Sequence, residues 1–343
     1  MMFGFKNNSA LNPDGAAALV KEPGESFKSY MRSYALLVVF LVMVIVLSII
    51  SPTFMTPKNI VNIFRQISIN GILAVGMTFV IILGGIDLSI GSLCAIAGVT
   101  SAIMLERIPN ISFAAIIIGV LACSFLGAVV GFVVSKFKIA PFIATLAMLT
   151  IARGVALVIA EGVPHTIKDP FYISLGNGYL WQTSSPDQIS IPTPVLIFVI
   201  VVAVSMIILY KTKFGRYVYA VGGNEQASRA SGINVNKVKM MVFILNGTLC
   251  GIAGIVLAGR ITSGQPSAAT GYELDAIAAV IIGGASLTGG AGKISGTILG
   301  ALIIGVLNNG LVLMGVSSYY QQIIRGVIIA AAVILDQRTK HIE

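Results

Sequence analysis

Stretches of roughly 20 mostly apolar residues recur along nearly the whole chain, each the length an α-helix needs to cross the hydrocarbon core of a bilayer. Inside lipid the backbone has no water to bond, so a spanning segment must satisfy its own polar groups as a helix or within a closed barrel. Charged residues make up 10% of the 343 positions and hydrophobic ones 56%, against about 25% charged in an ordinary soluble domain. The chain is therefore expected to be an all-α, polytopic integral membrane protein.

Hydropathy predicts about ten transmembrane helices, near 34–50, 66–84, 88–105, 113–135, 141–160, 193–210, 238–259, 272–287, 294–313 and 321–336. This divides the chain into a polar N-terminal tail (1–33), a transmembrane domain (34–336) and a short C-terminal tail (337–343). The first apolar run lacks a small-residue cleavage site and reads as an uncleaved span. Two loops are long enough for structure of their own: 161–192, with Tyr172, Tyr179 and Trp181 as candidate interface anchors, and the basic stretch 211–237. The intervals 84–88 and 287–293 are so short that they read as turns in the headgroup region or breaks partway through the membrane.

Lys and Arg set the orientation, because positive loops stay on the cytoplasmic side. With the N-terminus inside, fifteen of the 22 basic residues fall on inside segments and six on outside ones, with Arg153 within a span. Both termini are expected to be cytoplasmic, with 161–192 outside and 211–237 inside. The net charge of +9 is accounted for by these topology signals, and nucleic acid is not an expected partner; lipid is.

Polar side chains inside the spans cost free energy unless they face protein or water. Asn70, Asp87, Arg153, Asn246, Asn308 and Asn309 are the candidates for a translocation path. An amide offers two donors and an acceptor, which suits a hydroxylated neutral solute; the plainer alternative for each is an interhelical hydrogen bond. Arg153 is open to snorkelling, to pairing with Asp87 or Asp275, or to lining a cavity. Asp87, Glu273 and Asp275 lie near predicted span ends, where helix capping competes with a gating role. Acids at mid-membrane are too few for a proton or sodium pathway. Glycines at i, i+4, as in Gly127…Gly131, Gly247…Gly251 and Gly296…Gly300, predict close helix packing.

Val80-Ile81-Ile82-Leu83-Gly84-Gly85 is echoed two hundred residues later by Val280-Ile281-Ile282-Gly283-Gly284. Each copy is an apolar helix end, a glycine pair and a small polar turn, the pattern of transporters with repeated halves, although chance similarity between Gly-rich segments competes with it.

No catalytic set stands out. The nearest approach to a phosphate-binding loop, Gly292-Lys293, has Leu287 where a glycine belongs and Ile294 where Ser or Thr belongs. The three cysteines, Cys94, Cys123 and Cys250, lie in apolar runs without metal-ligand spacing. No cofactor or metal is expected on the chain, and it is not expected to be an enzyme. In the inner loop, Asn224 has the makings of an N-cap, Glu225 of a favourable first-turn acid and Gly232 of a helix stop. These signals predict a short helix on the cytoplasmic surface, suited to a groove on a soluble partner.

Gly76-Met77-Thr78-Phe79 through Gly84-Gly85-Ile86-Asp87-Leu88-Ser89-Ile90-Gly91-Ser92 resembles the signature of monosaccharide-type permeases of ATP-binding-cassette (ABC) importers. Gly222-Gly223-Asn224-Glu225 with Ser231-Gly232-Ile233-Asn234 is similar to their coupling loop, and Gly271 to Ala279, Asn308-Asn309-Gly310 and Gly315 to Gln321 are similar to the ribose branch of that family. The resemblance spans about residues 50–336. It implies a homodimeric permease in a bacterial inner membrane, driven by a cytoplasmic subunit that holds ATP and Mg, and fed by a periplasmic sugar-binding protein. D-ribose is the solute it points to, and Asn224, Glu225, Ala227, Arg229 and Gly232 become the expected contacts with the ATPase. Gln226 stands where many importers carry Ala, and the following Gly comes late. A branched-chain amino acid permease of the same plan and a stand-alone secondary carrier are the alternatives.

Overall fold

The structure is a computed structural model that describes residues 23–108, 110–181 and 190–340. Its helices, in chain order, are α1 (Pro23–Ile50), α2 (Pro57–Ile82), α3 (Ile90–Arg107), α4 (Ser112–Lys136), α5 (Pro141–Ile159), α6 (Pro170–Asn177), α7 (Thr193–Lys211), α8 (Lys213–Gly223), α9 (Glu225–Ala230), α10 (Val235–Ile261), α11 (Tyr272–Ile282), α12 (Ile294–Leu313) and α13 (Ser318–Lys340). Two minimal antiparallel ladders complete it: β1 (His165–Thr166) with β4 (Ser263–Gly264), and β2 (Tyr179–Trp181) with β3 (Ile191–Pro192). Most of the tail predicted at 1–33, and residues 341–343 of the one predicted at 337–343, lie outside the described residues; α1 already begins at Pro23.

Among the described residues, α2, α3, α4, α5, α7, α10 and α12 are long and apolar enough to cross a membrane, and α1 contributes the apolar stretch Leu36–Ile50. The chain is a multi-pass membrane protein. Punctuation in the sequence sets the boundaries. Pro57 and Pro141 open α2 and α5 at positions where a missing N–H costs nothing. Asn234 Oδ1 accepts from Lys237 N at 3.0 Å to start α10.

α2 is the hub, packed on α7, α10, α11 and α12 and buried along nearly all of its length. α4, α5 and α7 form the rim, where Phe113, Phe125, Ile151, Val158 and Ile207 are exposed as lipid-facing side chains should be. The glycine pairs do bring backbones together: a Cβ on Gly127 would lie 3.2 Å from Gly247 Cα, one on Gly251 would lie 2.8 Å from Val120 Cα, and one on Gly300 would lie 3.0 Å from Ala279 Cα. Close approach lets dispersion act between helices that lipid gives no hydrophobic reason to associate.

The span predicted at 272–287 is instead α11, an 11-residue helix about 16 Å long, half of a bilayer core. The chain ahead of it is non-helical and runs down the side of α3: a Cβ on Gly264 would meet Val99 Cα at 3.0 Å, and one on Gly91 would meet Ala269 C at 3.4 Å. Those α3 contacts are about 12 Å apart along the helix axis. One side of this segment is held by protein, with Gly264, Pro266 and Ala269 buried, while Gln265, Ser267 and Thr270 are exposed.

α3 starts partway along α5. Gly85 packs on Pro141 at the beginning of α5, whereas Ser92 Oγ donates to Leu149 O, eight residues further along α5, at 2.9 Å. The chain from 85 to 92 therefore climbs about 12 Å beside α5.

Candidate functional site

The glycine breaks after α2 and after α11 share one geometry. Gly84 N donates to Ile81 O and Gly85 N to Val80 O, both at 2.9 Å; Gly284 N donates to Ile281 O at 2.9 Å and Ala285 N to Val280 O at 3.1 Å. Gly84 and Gly284 have φ of +86° and +88°, the left-handed step that ends a helix in a Schellman motif. The echo in the sequence is thus an echo in structure, and the two breaks touch: Gly290 N donates to Ile82 O at 2.8 Å.

α8 is seated on this junction. A Cβ at Gly222 would overlap Ile82 O and lie 2.8 Å from Gly290 N, and one at Gly289 would lie 3.0 Å from Gly84 Cα. Tyr219 Oη donates to Gly292 O at 2.7 Å, and Ile294 N donates to Tyr210 Oη at 2.9 Å. Residues of α7, α8, both breaks and the start of α12 form one node.

α9 hangs from the end of α8. Asn224 Oδ1 accepts from Ala227 N at 2.9 Å, and Gly232, at φ +81°, ends the turn as Ile233 N donates to Ser228 O at 3.0 Å. Glu225 accepts from Arg229 at 3.0 Å and from Lys239 of α10 at 2.7 Å. The hydrogen bond from Lys239, with Arg229 beside it, holds the Glu225 carboxyl below its usual range. Asn224, Ala227, Arg229 and Gly232 are exposed, while Ser228 is buried. The predicted coupling residues thus form a surface braced from behind by α8 and α10.

The other site residues separate into two groups. Asn246 lies eleven residues into α10, about 16 Å from its start. Its Nδ2 donates to Asp87 Oδ2 at 2.8 Å, and Asp87 Oδ1 accepts from Ser89 N and Ser89 Oγ at 2.8 and 2.6 Å. Asp87, expected near a span end, is 2% exposed and fixes the turn into α3. Asn308 Nδ2 donates to Asp275 Oδ2 at 3.1 Å, and Arg325 Nε of α13 lies 3.5 Å from Asp275 Oδ1. Asn309 exchanges hydrogen bonds with Asn59, at 2.8 and 3.0 Å.

Arg153 does not pair with Asp87 or Asp275. Its Nη1 donates to Pro266 O at 2.6 Å and Ala268 O at 2.8 Å, pinning the non-helical segment ahead of α11. Asn70 stands apart, buried at 5% exposure with both Nδ2 and Oδ1 unpartnered among the described residues. Of the loop aromatics, Tyr172 is a core residue whose hydroxyl meets Ser101 Oγ at 2.5 Å, Tyr179 lies under Arg65, and Trp181 is exposed.

Sequence reasoning missed Asn59, Arg325, Tyr210, Tyr219 and Gly289. Asn59 lies ahead of the span predicted at 66–84, and Arg325 reads as an outer-edge charge of the last span. Only the proximity of Asn308 to Asn309 hinted that two further polar partners were needed.

Broken helices meeting beneath a surface helix, with polar groups paired at membrane depth, define a membrane permease. The chain belongs to the family described as branched-chain amino acid transport system / permease component, whose model matches residues 59–333. It is 45% identical to the ribose import permease protein of Escherichia coli (strain K12) over 311 residues, covering 91% of this chain and 95% of that one. The ribose import permease protein of Bacillus subtilis (strain 168) is 46% identical over 298 residues, 87% of this chain and 90% of the relative. An L-arabinose ABC transporter permease protein of Azospirillum brasilense is 36% identical over 330 residues, 96% and 94% of the two chains. No solved structure matches.

Proposed function

We propose that this chain is the membrane-spanning subunit of an ATP-driven importer that carries a monosaccharide, with D-ribose as the first solute to test. The observation that carries the reading is identity of 45% to a ribose import permease over 91% of the chain, which takes in α9, both breaks and α11 together. ATP and Mg belong on a separate cytoplasmic subunit. The exposed face of α9 is suited to that subunit, and the opposite end of the bundle to a periplasmic sugar-binding protein. A second copy of the chain completes the permease in the bacterial inner membrane, with both termini cytoplasmic.

In this reading, closure of the ATPase pushes Asn224, Ala227, Arg229 and the turn at Gly232. α8 carries the push to Gly222, where it bears on Ile82 and Gly290. Both breaks then move as one body, and the half-length α11 shifts against α2 and α12, so that a path opens to the cytoplasm while it closes to the outside. Paired groups such as Asp87–Asn246 and Asp275–Asn308 hold the moving pieces in register.

The family description names branched-chain amino acids, so a second reading has the same architecture carrying leucine-like solutes. Uptake into proteoliposomes containing the permease, its ATPase and its binding protein separates the two. ATP-dependent uptake of ribose, unaffected by excess leucine, is expected. Uptake of leucine without ribose would transfer the assignment to the second reading.

A further inference from the structure

Three of the four mid-span asparagines are used within the protein: Asn246 on Asp87, Asn308 on Asp275, and Asn309 on Asn59. Asn246 keeps one free atom, Oδ1, but that oxygen is wedged against the backbone of α2, where a Cβ on Gly76 would overlap it. No solute has room to reach it. Asn70 differs in kind: at the middle of the hub helix, both ends of its amide are buried and unpartnered among the described residues.

Buried polar atoms are paired in the large majority of cases, because stripping water from an amide without replacing its bonds is costly. An amide left empty at both ends is therefore a place where the partner comes from outside the chain. The surroundings narrow its chemistry. Ile67, Leu73 and Ala74, at helical spacing from Asn70, are apolar and buried, and next to it Gly71 lies against the ring of Phe198, whose Cζ would be 2.7 Å from a Cβ there. One turn earlier on the same stripe stands Gln66, half-buried and without a hydrogen bond among the described residues. Gln66 and Asn70 thus present two primary amides at i, i+4, about 6 Å apart, one half-buried and one deep. Arg65, the nearest charge on the helix, donates through Nη2 to Asn177 O and lies over the Tyr179 ring, while its Nε is buried without a partner among the described residues.

We infer that Asn70, with Gln66 leading to it, is a contact site on the path for a neutral polyhydroxylated solute, and that Asn246, Asn308 and Asn309 are structural. Each amide donates to and accepts from hydroxyls and offers no counter-charge to a zwitterion or ion. The inference rests on the sugar-import reading and deepens it by assigning the solute contact to one side-chain pair. Water is the other source of matching hydroxyl chemistry, and the test separates it from the solute.

The test uses the complete transporter in proteoliposomes, with Asn70→Leu and Gln66→Leu compared with the unaltered protein for sugar uptake and thermal unfolding. Asn70→Leu is expected to unfold at the same or a higher temperature, since it removes an unsatisfied amide, while uptake falls at least about tenfold, the equivalent of one lost hydrogen-bonded contact. Asn70→Gln, which keeps the amide, is expected to recover part of the uptake, and Gln66→Leu to slow it more mildly. Unchanged uptake by Asn70→Leu overturns the inference and leaves water as the occupant. A lowered unfolding temperature for Asn70→Leu overturns it in favour of a structural role. The unaltered protein reports separately on the parent reading: if it carries no sugar, that reading fails whatever the variants do.

Discussion

Adding one methyl group at Gly222 tests whether α8 acts on the breaks. Its Cβ would overlap the Ile82 carbonyl oxygen and sit 2.8 Å from Gly290 N, the two atoms already hydrogen-bonded to each other. The second distance is about 0.6 Å inside the 3.4 Å at which ordinary contact begins. Both neighbours are backbone, so neither can swing aside. Overpacking of this kind costs about 1–3 kcal/mol, and losing the Gly290–Ile82 hydrogen bond adds about 1 kcal/mol. A penalty of about 2–4 kcal/mol falls on the conformation with the node assembled, enough to change its population by about 30-fold or more. Gly222→Ala is therefore expected to reduce ATP-driven uptake at least about tenfold in protein that still elutes as a folded complex. Gly223→Ala is the control: a Cβ there has nothing within 4 Å, and alanine suits a helix better than glycine. Equal uptake by the two variants, or equal impairment, would refute the role given to this contact.

Other sites give independent expectations. Arg325→Ala leaves Asp275, 3% exposed, without its cation, which should destabilise the detergent-solubilised protein by about 3–5 kcal/mol; a melting curve reads the loss, and adding Asp275→Asn should recover most of it. Arg153→Ala removes two charge-assisted hydrogen bonds, to Pro266 O and Ala268 O, each worth about 1.5–3 kcal/mol; faster hydrogen exchange across residues 264–271 with little change in α5 is the expected result. The Glu225 carboxyl is depressed by Lys239 and Arg229, so its support for α9 is complete above the unfolded value of about 4.3 and is lost as pH falls through the lower folded value. Because that side chain is 42% exposed, the effect is at most about 1 kcal/mol; Glu225→Gln should show the same loosening of α9 at neutral pH, read by exchange of the Ala227 and Ser231 amides.

Hydropathy, glycine spacing and capping signals all act over one or two helical turns. They made the long helices, the close packing at the glycine pairs and the Asn224 cap legible in the sequence. The twin breaks were visible as an echo because a Schellman ending needs glycine at its left-handed position, and a local pattern records that need. What lay hidden depends on contacts between distant segments. The span predicted at 272–287 failed because its apolar residues continue past Ile282, although the Gly283–Gly284 step ends the helix there. Arg153 was open to an acidic partner by charge alone, yet backbone carbonyls of the non-helical segment ahead of α11 satisfy it. The four asparagines look alike along the chain, and only the surroundings of each separate Asn70, whose amide has no partner among the described residues, from Asn246, Asn308 and Asn309.

The central claim is that this chain moves a sugar only when an ATP-hydrolysing partner pushes on α9. Ribose uptake into proteoliposomes, measured with and without that subunit and with ATP or a non-hydrolysable analogue, tests it most directly. The account predicts accumulation with both the subunit and ATP present, and none when either is withheld; ribose accumulation by the chain alone would contradict it and define a secondary carrier.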